Sequence, residues 1–164
     1  MPRYSRKKWN KKYIKNSHNC YSYMLDKINK HYVKICKNKL KKTQKKKCGW
    51  LKSQPGMYAG IKDINYYKEY NCKMLNNKVL KDNKYIYMKK NKKCSKDYYE
   101  GMLFIQPKRA YHFYRQDDDG TWSHKDGLSR SSRRDAKGKI IKDPKKADRD
   151  YRKKNGFYLS RHCG

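Results

Sequence analysis

In the first part of the chain, apolar and aromatic residues fall at Cys20, Tyr23, Met24, Ile28 and Tyr32. Steps of three to four residues mark one face of a helix. Ser17 or Asn19 can cap its start, which puts Cys20 in the first turn. Ahead of it, residues 1–16 are basic and read as an N-terminal arm to a single domain spanning 17–164. Behind it, KNKLKKTQKKK at 37–47 is nearly pure charge and reads as a solvated loop or insertion. SQPGMYAG at 53–60 is turn chemistry. Residues 61–77 read as a second helix, YIYM at 85–88 as a short strand, and KKNKKCSK after it as a loop.

The pattern changes after Asp97. YYEGMLFIQP is an apolar run ended by Pro107, and AYHFYR is a second strand. DDDG at 117–120 is an Asp-Gly hairpin turn, and TWSHK is the returning strand. Two further turns, DAKG and KDPKKAD, flank a short strand at 139–141, and GFYLS supplies a last one. Helix first and antiparallel meander after it give an α+β class, with a cysteine-bearing N-terminal helix packed on an antiparallel sheet.

Composition narrows the core. Of 164 residues, 46 are Lys or Arg and 14 Asp or Glu, for a formal net charge of +32. Hydrophobic residues make up 35%, below the roughly 45–50% apolar share of ordinary domains. The 17 tyrosines compensate in part, since each buries a ring and keeps its hydroxyl at a polar edge. The charge suits a polyanion partner such as nucleic acid. It equally suits AT-rich codon usage, because lysine far outnumbers arginine, the commoner reader of base edges. No apolar h-region follows the basic N-terminus, and no apolar run approaches the roughly 20 residues of a membrane helix. A soluble protein made in a cytoplasm is expected, without a membrane partner.

The cysteines are Cys20, Cys36, Cys48, Cys72, Cys94 and Cys163, and no pair has the Cys-x-x-Cys spacing of a zinc site. Two disulfides among Cys36, Cys48, Cys72 and Cys94 require an oxidising setting; unpaired thiols are the default in a reducing one. The acidic run 117–119 lacks the ordered oxygen ligands of a calcium site and reads as a solvated turn. No metal or other cofactor is expected. Alternation puts His112 and Tyr114 on one face of their strand, and Trp122 and His124 on one face of the next. A matching register makes His112 and His124 neighbours. Cys20, at a helix start, gains thiolate character from the helix dipole. A thiolate, a histidine base and a polar group orienting that base form a cysteine-hydrolase triad.

These residues carry a resemblance. The order of a helix-start cysteine, a strand histidine and a polar residue on the next strand resembles the NlpC-type branch of the papain-like cysteine peptidases and amidases. The chain is more specifically similar to poorly characterised proteins of giant DNA viruses and bacteria. The shared stretches are NCYSY at 19–23, QPG at 54–56, YHFYRQDDDGTWSHKDG at 111–127 and DAKGKIIKDPKKADRDY at 135–151. The resemblance implies a papain-like fold in which Cys20 is nucleophile, His112 general base and His124 the orienting residue. The backbone N–H of Cys20, with Asn19 or Tyr23, would meet the oxyanion. Asp118 and His18 stay open as alternatives for the third member. The implied function is amide hydrolysis in a virion or host cytoplasm. The alternative is a non-enzymatic virion protein that uses the scaffold and its lysines to bind genome or acidic capsid surfaces.

Overall fold

The computed structural model describes residues 1–42, 48–61, 70–89 and 94–164. The N-terminal residues are not a free arm. Ser5 Oγ accepts the Lys8 N–H and starts a short helix α1, Arg6–Trp9, followed by α2, Lys12–Ser17. Trp9 is fully buried, its ring 4.9 Å from that of Tyr23. Tyr4 Oη donates to Ser131 O and the Asp118 N–H to Pro2 O, so this segment is sewn onto the sheet's far strands. Burial of an indole and these bonds outweigh the solvation of its lysines.

The long apolar stripe is split in two. Helix α3, Cys20–Met24, begins on an Asn19 cap whose Oδ1 accepts the Ser22 N–H. It stops near Asp26, a residue in the left-handed region (φ 49°). Asn29 Oδ1 then accepts the Tyr32 N–H at the start of α4, Lys30–Lys42. The left-handed turn is strained for a non-glycine. It is held because the Asp26 carboxylate collects Lys8, the Trp9 indole and Arg115. Residues 37–42, expected as loop, continue α4, and 43–47 lie outside the described residues.

Disulfides join Cys36 to Cys48 and Cys72 to Cys163, while Cys20 and Cys94 are free. The default of unpaired thiols is therefore corrected for these four cysteines. Cys163, not Cys94, is the fourth partner. Of the second helix expected over 61–77, 62–69 lie outside the described residues, and α5, Cys72–Asp82, starts on an Asn71 cap. YIYM is not a strand: Tyr85 and Tyr87 are exposed and no strand pairs with them among the described residues.

The sheet holds β1 (Gly101–Gln106), β2 (Ala110–Gln116), β3 (Trp122–Lys125), β4 (Ser131–Ser132) and β5 (Arg161–His162) in the order β4-β3-β2-β1-β5, with antiparallel neighbours. The β2–β3 hairpin closes through Asp117–Gly120 as expected, with the Asp117 N–H on Thr121 O. The segment 139–141 makes only an isolated bridge, Ile140 to Arg134, and Tyr158 another, to Asp150. The last paired strand comes after GFYLS, at β5. With helices packed on this antiparallel sheet, the class is α+β.

The sheet is buried on both faces. Phe113, Arg115, Ser123 and Lys125 face α3: the rings of Tyr21 and Phe113 lie 5.2 Å apart, and Arg115 donates to Tyr23 O. Phe104, His112, Tyr114, Trp122 and His124 face the C-terminal segment, where Ile141, Tyr151 and Leu159 complete a second cluster. No described helix is long and apolar enough to cross a membrane.

Candidate active site around Cys20 and the His112–His124 pair

Strand pairing sets Tyr114 opposite His124, so His112 is diagonal to His124 on the same face. Diagonal neighbours are within reach of ring side chains. His112 Nε2 lies 2.8 Å from His124 Nδ1, with the rings nearly perpendicular at 81°. His124 Nε2 lies 2.9 Å from the carbonyl oxygen of Arg134. That carbonyl fixes both tautomers. A carbonyl only accepts, so His124 carries its proton on Nε2 and presents an acceptor at Nδ1. His112 must then donate from Nε2, which leaves His112 Nδ1 as a bare lone pair. The relay delivers a neutral imidazole with a base nitrogen and a defined orientation.

Burial keeps the pair neutral. The His112 pKa is held well below 6.5, first by desolvation, then by the charges of His124 and Lys125. His124 is also lowered by desolvation, against a raising contribution from the Arg134 carbonyl.

Cys20 is 5% exposed and packs with Tyr21, Leu103, Ile105 and Phe113. Its thiol is hydrogen-bonded by the Phe113 backbone, an interaction that lowers the thiol pKa. The thiol shares its buried cluster with Phe113, the residue after His112, and no hydrogen bond joins it to the His112 ring. Asp126 acts electrostatically on both Cys20 and His124, raising each. The expected thiolate is corrected. Burial pushes the Cys20 thiol up to about 11, more than the Phe113 bond and Lys125 and Lys52 lower it. Helix α3 is one short turn, and its dipole does not offset that desolvation.

The two oxyanion candidates are already engaged. Asn19 uses Oδ1 as the α3 cap and donates Nδ2 to Ser53 O at 2.9 Å. Tyr23 Oη is 2.7 Å from Ser123 Oγ, and its ring carries the Arg115 guanidinium at 4.2 Å. Both residues hold the fold around the cysteine rather than facing a substrate. Of the alternative third members, His18 is bound to Ser17 Oγ and the Asn29 N–H, and Asp118 lies in the exposed turn. Neither enters the relay.

Three residues escaped the pattern. Arg115 and Lys125 are fully buried, as is Asp117, which had been read as part of a solvated turn. Arg115 pairs with Asp26 at 2.9 Å and Asp117 at 3.2 Å, and Ser123 Oγ donates to Asp117 Oδ1. Lys125 Nζ donates to three carbonyls: Lys15 O at 3.0 Å, His18 O at 2.5 Å and Gly127 O at 2.7 Å. The available signal was alternation: Arg115, Ser123 and Lys125 share the face of Phe113, an apolar position. Among the described residues, no group of three or more His, Cys, Asp or Glu is arranged to hold a metal ion.

No family model and no solved structure match the chain. Over 47 residues it is 47% identical to insoluble matrix shell protein 1 of Ruditapes philippinarum. That stretch is 29% of this chain and 32% of the shell protein, so the chain spans about a third of the length of the curated relative it matches.

Proposed function

We propose that the chain is a papain-like cysteine hydrolase domain of the NlpC type, cleaving an amide through Cys20, His112 and His124. The observation that carries this reading is the relay from Arg134 O through His124 to His112, which leaves His112 Nδ1 as base next along β2 from Phe113, a member of the buried cluster that holds Cys20. The thiol is neutral at rest, so deprotonation accompanies attack. Cys20 Sγ adds to the carbonyl carbon while His112 Nδ1 takes the thiol proton. The C–N bond then breaks and His112 returns that proton to the leaving amine. Water, deprotonated by the same nitrogen, hydrolyses the thioester and restores the thiol. The two disulfides support maturation in an oxidising setting, outside a cell or within a particle.

A generic acyl donor tests this without knowledge of the substrate. In a Cys94→Ser background, 4-nitrophenyl acetate should release a burst of nitrophenol equivalent to one Cys20 per chain. Cys20→Ser should abolish the burst, and His112→Ala should slow it about a hundredfold or more. A burst unchanged by either substitution rejects the hydrolase reading.

A second reading is a structural protein. It is favoured by the stretch shared with a shell matrix protein and by the charge of +32. Binding to a polyanion such as DNA, weakening steeply with salt, would support it; no binding at low salt would assign the charge to composition alone.

A further inference from the structure

We infer that α4 carries a docking ridge for an acidic polysaccharide, a single chain of sulfate or carboxylate groups lying along Lys30, Lys34, Lys37 and Lys41. The inference rests on the second reading above for its polyanion partner and is independent of the hydrolase reading.

Three observations converge on it. First, the four lysines follow one another at steps of four, three and four, so they share one face of α4, and all are exposed. At a rise of about 1.5 Å per residue, the row runs about 16 Å along the helix axis. The opposite face, with Tyr32, Ile35, Cys36 and Leu40, packs in a cluster with Tyr13 and Leu51 and is pinned by the Cys36–Cys48 disulfide. The ridge therefore stands on a fixed platform. Second, the row is not neutralised. Asp26 is the one acidic residue in 1–62, and its carboxylate is taken by Lys8, the Trp9 indole and Arg115. None of the four lysines has a carboxylate within ion-pair distance among the described residues. Codon usage sets how much lysine a chain carries, but it does not clear a long segment of acids. Third, the form of the row selects among polyanions. A duplex presents two phosphate strands flanking a major groove about 12 Å wide, and a single row of cations meets one of them. Single-stranded nucleic acid is held by aromatic stacking as well as charge, and no aromatic residue stands in the row. An acidic polysaccharide needs only a line of cations. The disulfide under the ridge belongs to an oxidising setting such as the cell exterior, where such polymers are exposed.

The test is heparin binding by the full, disulfide-intact chain, measured by calorimetry at rising salt. The parent should bind, and its affinity should fall steeply with salt as counterions are released. Lys30→Gln, Lys34→Gln, Lys37→Gln and Lys41→Gln combined should weaken binding about tenfold or more, the loss of four exposed ion pairs, and should flatten the salt dependence. The same loss of charge at Lys139, Lys142, Lys145 and Lys153, exposed in the C-terminal half, should weaken it less than about threefold. Equal weakening by the two variants overturns the ridge and leaves the second reading, since the charge then acts from the whole surface. Duplex or single-stranded DNA bound as tightly as heparin, and weakened as much by the α4 substitutions, overturns the choice of polysaccharide. Absence of binding to heparin and DNA alike at low salt overturns the ridge and the second reading's polyanion together. Should the α4 variant not fold, acetylation of the parent mapped by mass spectrometry serves. Heparin should protect Lys30, Lys34, Lys37 and Lys41 ahead of the four C-terminal lysines; protection without that preference overturns the ridge equally.

Discussion

The two faces of the sheet solve the burial of titratable groups in opposite ways. On the α3 face the buried groups are charged and matched: Arg115 against Asp26 and Asp117, with Tyr23 under its guanidinium, and Lys125 against carbonyls. On the C-terminal face the groups are neutral. His112 and His124 are packed among Tyr114, Tyr151 and Trp122, with pKa values driven down so that no charge needs a partner. Strand alternation places the two chemistries one residue apart, at His112 and Phe113 or at His124 and Lys125. A cationic layer with fixed geometry thus lies against a neutral, proton-accepting layer, and Cys20 packs on the side of Leu103, Ile105 and Phe113.

The sharpest way to break this comparison is Arg115→Met. It leaves Asp117 fully buried without its closest cation, and it frees the Asp26 turn that ends α3. Removing one partner of a buried ion pair costs about 3–5 kcal/mol. Urea denaturation should show that loss; a change below about 1 kcal/mol would mean that the network is weakly matched and that the two faces do not differ as described.

This network is also where sequence reasoning stopped. The β2–β3 hairpin was legible because alternation and an Asp-Gly turn are local signals, and with them came the diagonal approach of His112 and His124. The cysteine's place at a helix start was legible from the Asn19 cap. The charged layer was not, because whether Arg115 and Lys125 are buried is decided by remote groups: Asp26 in a left-handed turn, and carbonyls at Lys15 and His18. A 3.6-residue stripe ran through Ile28 to Tyr32 without a break, and only the demand of three donors on Asp26 explains why the helix stops there. The thiolate failed for a related reason: a helix start is local, but the desolvation that opposes it comes from β1 and β2.

Next in expected size is acid. His18, lowered to about 4, and His112 and His124, both lowered, are neutral in the folded state while an unfolded histidine titrates at 6.5. Their unfolded forms bind more protons, so stability is fully present above pH 6.5 and is lost as pH falls toward 4. Melting temperature should drop steadily as pH falls below 6.5. A profile flat down to pH 4 would mean that the histidine face already accommodates charge.

His124→Ala sharpens the comparison from the neutral side. It removes the link between Arg134 O and His112 Nε2, leaving the buried His112 N–H without its partner, at about 1–3 kcal/mol. That is less than for Arg115, because no charge is orphaned. The acyl burst should fall with it, since His112 is no longer held in the tautomer that frees Nδ1. His124→Gln can restore both bonds and should recover part of the rate; equal loss in Ala and Gln variants would reduce His124 to packing.

The smallest effect expected is at Tyr151. Its hydroxyl lies 3.3 Å from that of Tyr114, and burial raises both phenols, Tyr151 to about 12 and Tyr114 well above 10. Tyr151→Phe removes one hydroxyl and leaves the ring in place, so the cost should be about 1 kcal/mol, that of a neutral hydrogen bond. Tyr114→Phe should cost about the same, and the double variant no more than either alone, because the second hydroxyl has no partner left to lose. Two losses that add in full would show that each phenol is held by something other than its neighbour. A coupling that approaches the Arg115 value would mean that this face carries charge after all, with one phenol ionised against Arg149, which acts on Tyr114 electrostatically. The size of the coupling therefore decides between a neutral layer and a second charged one.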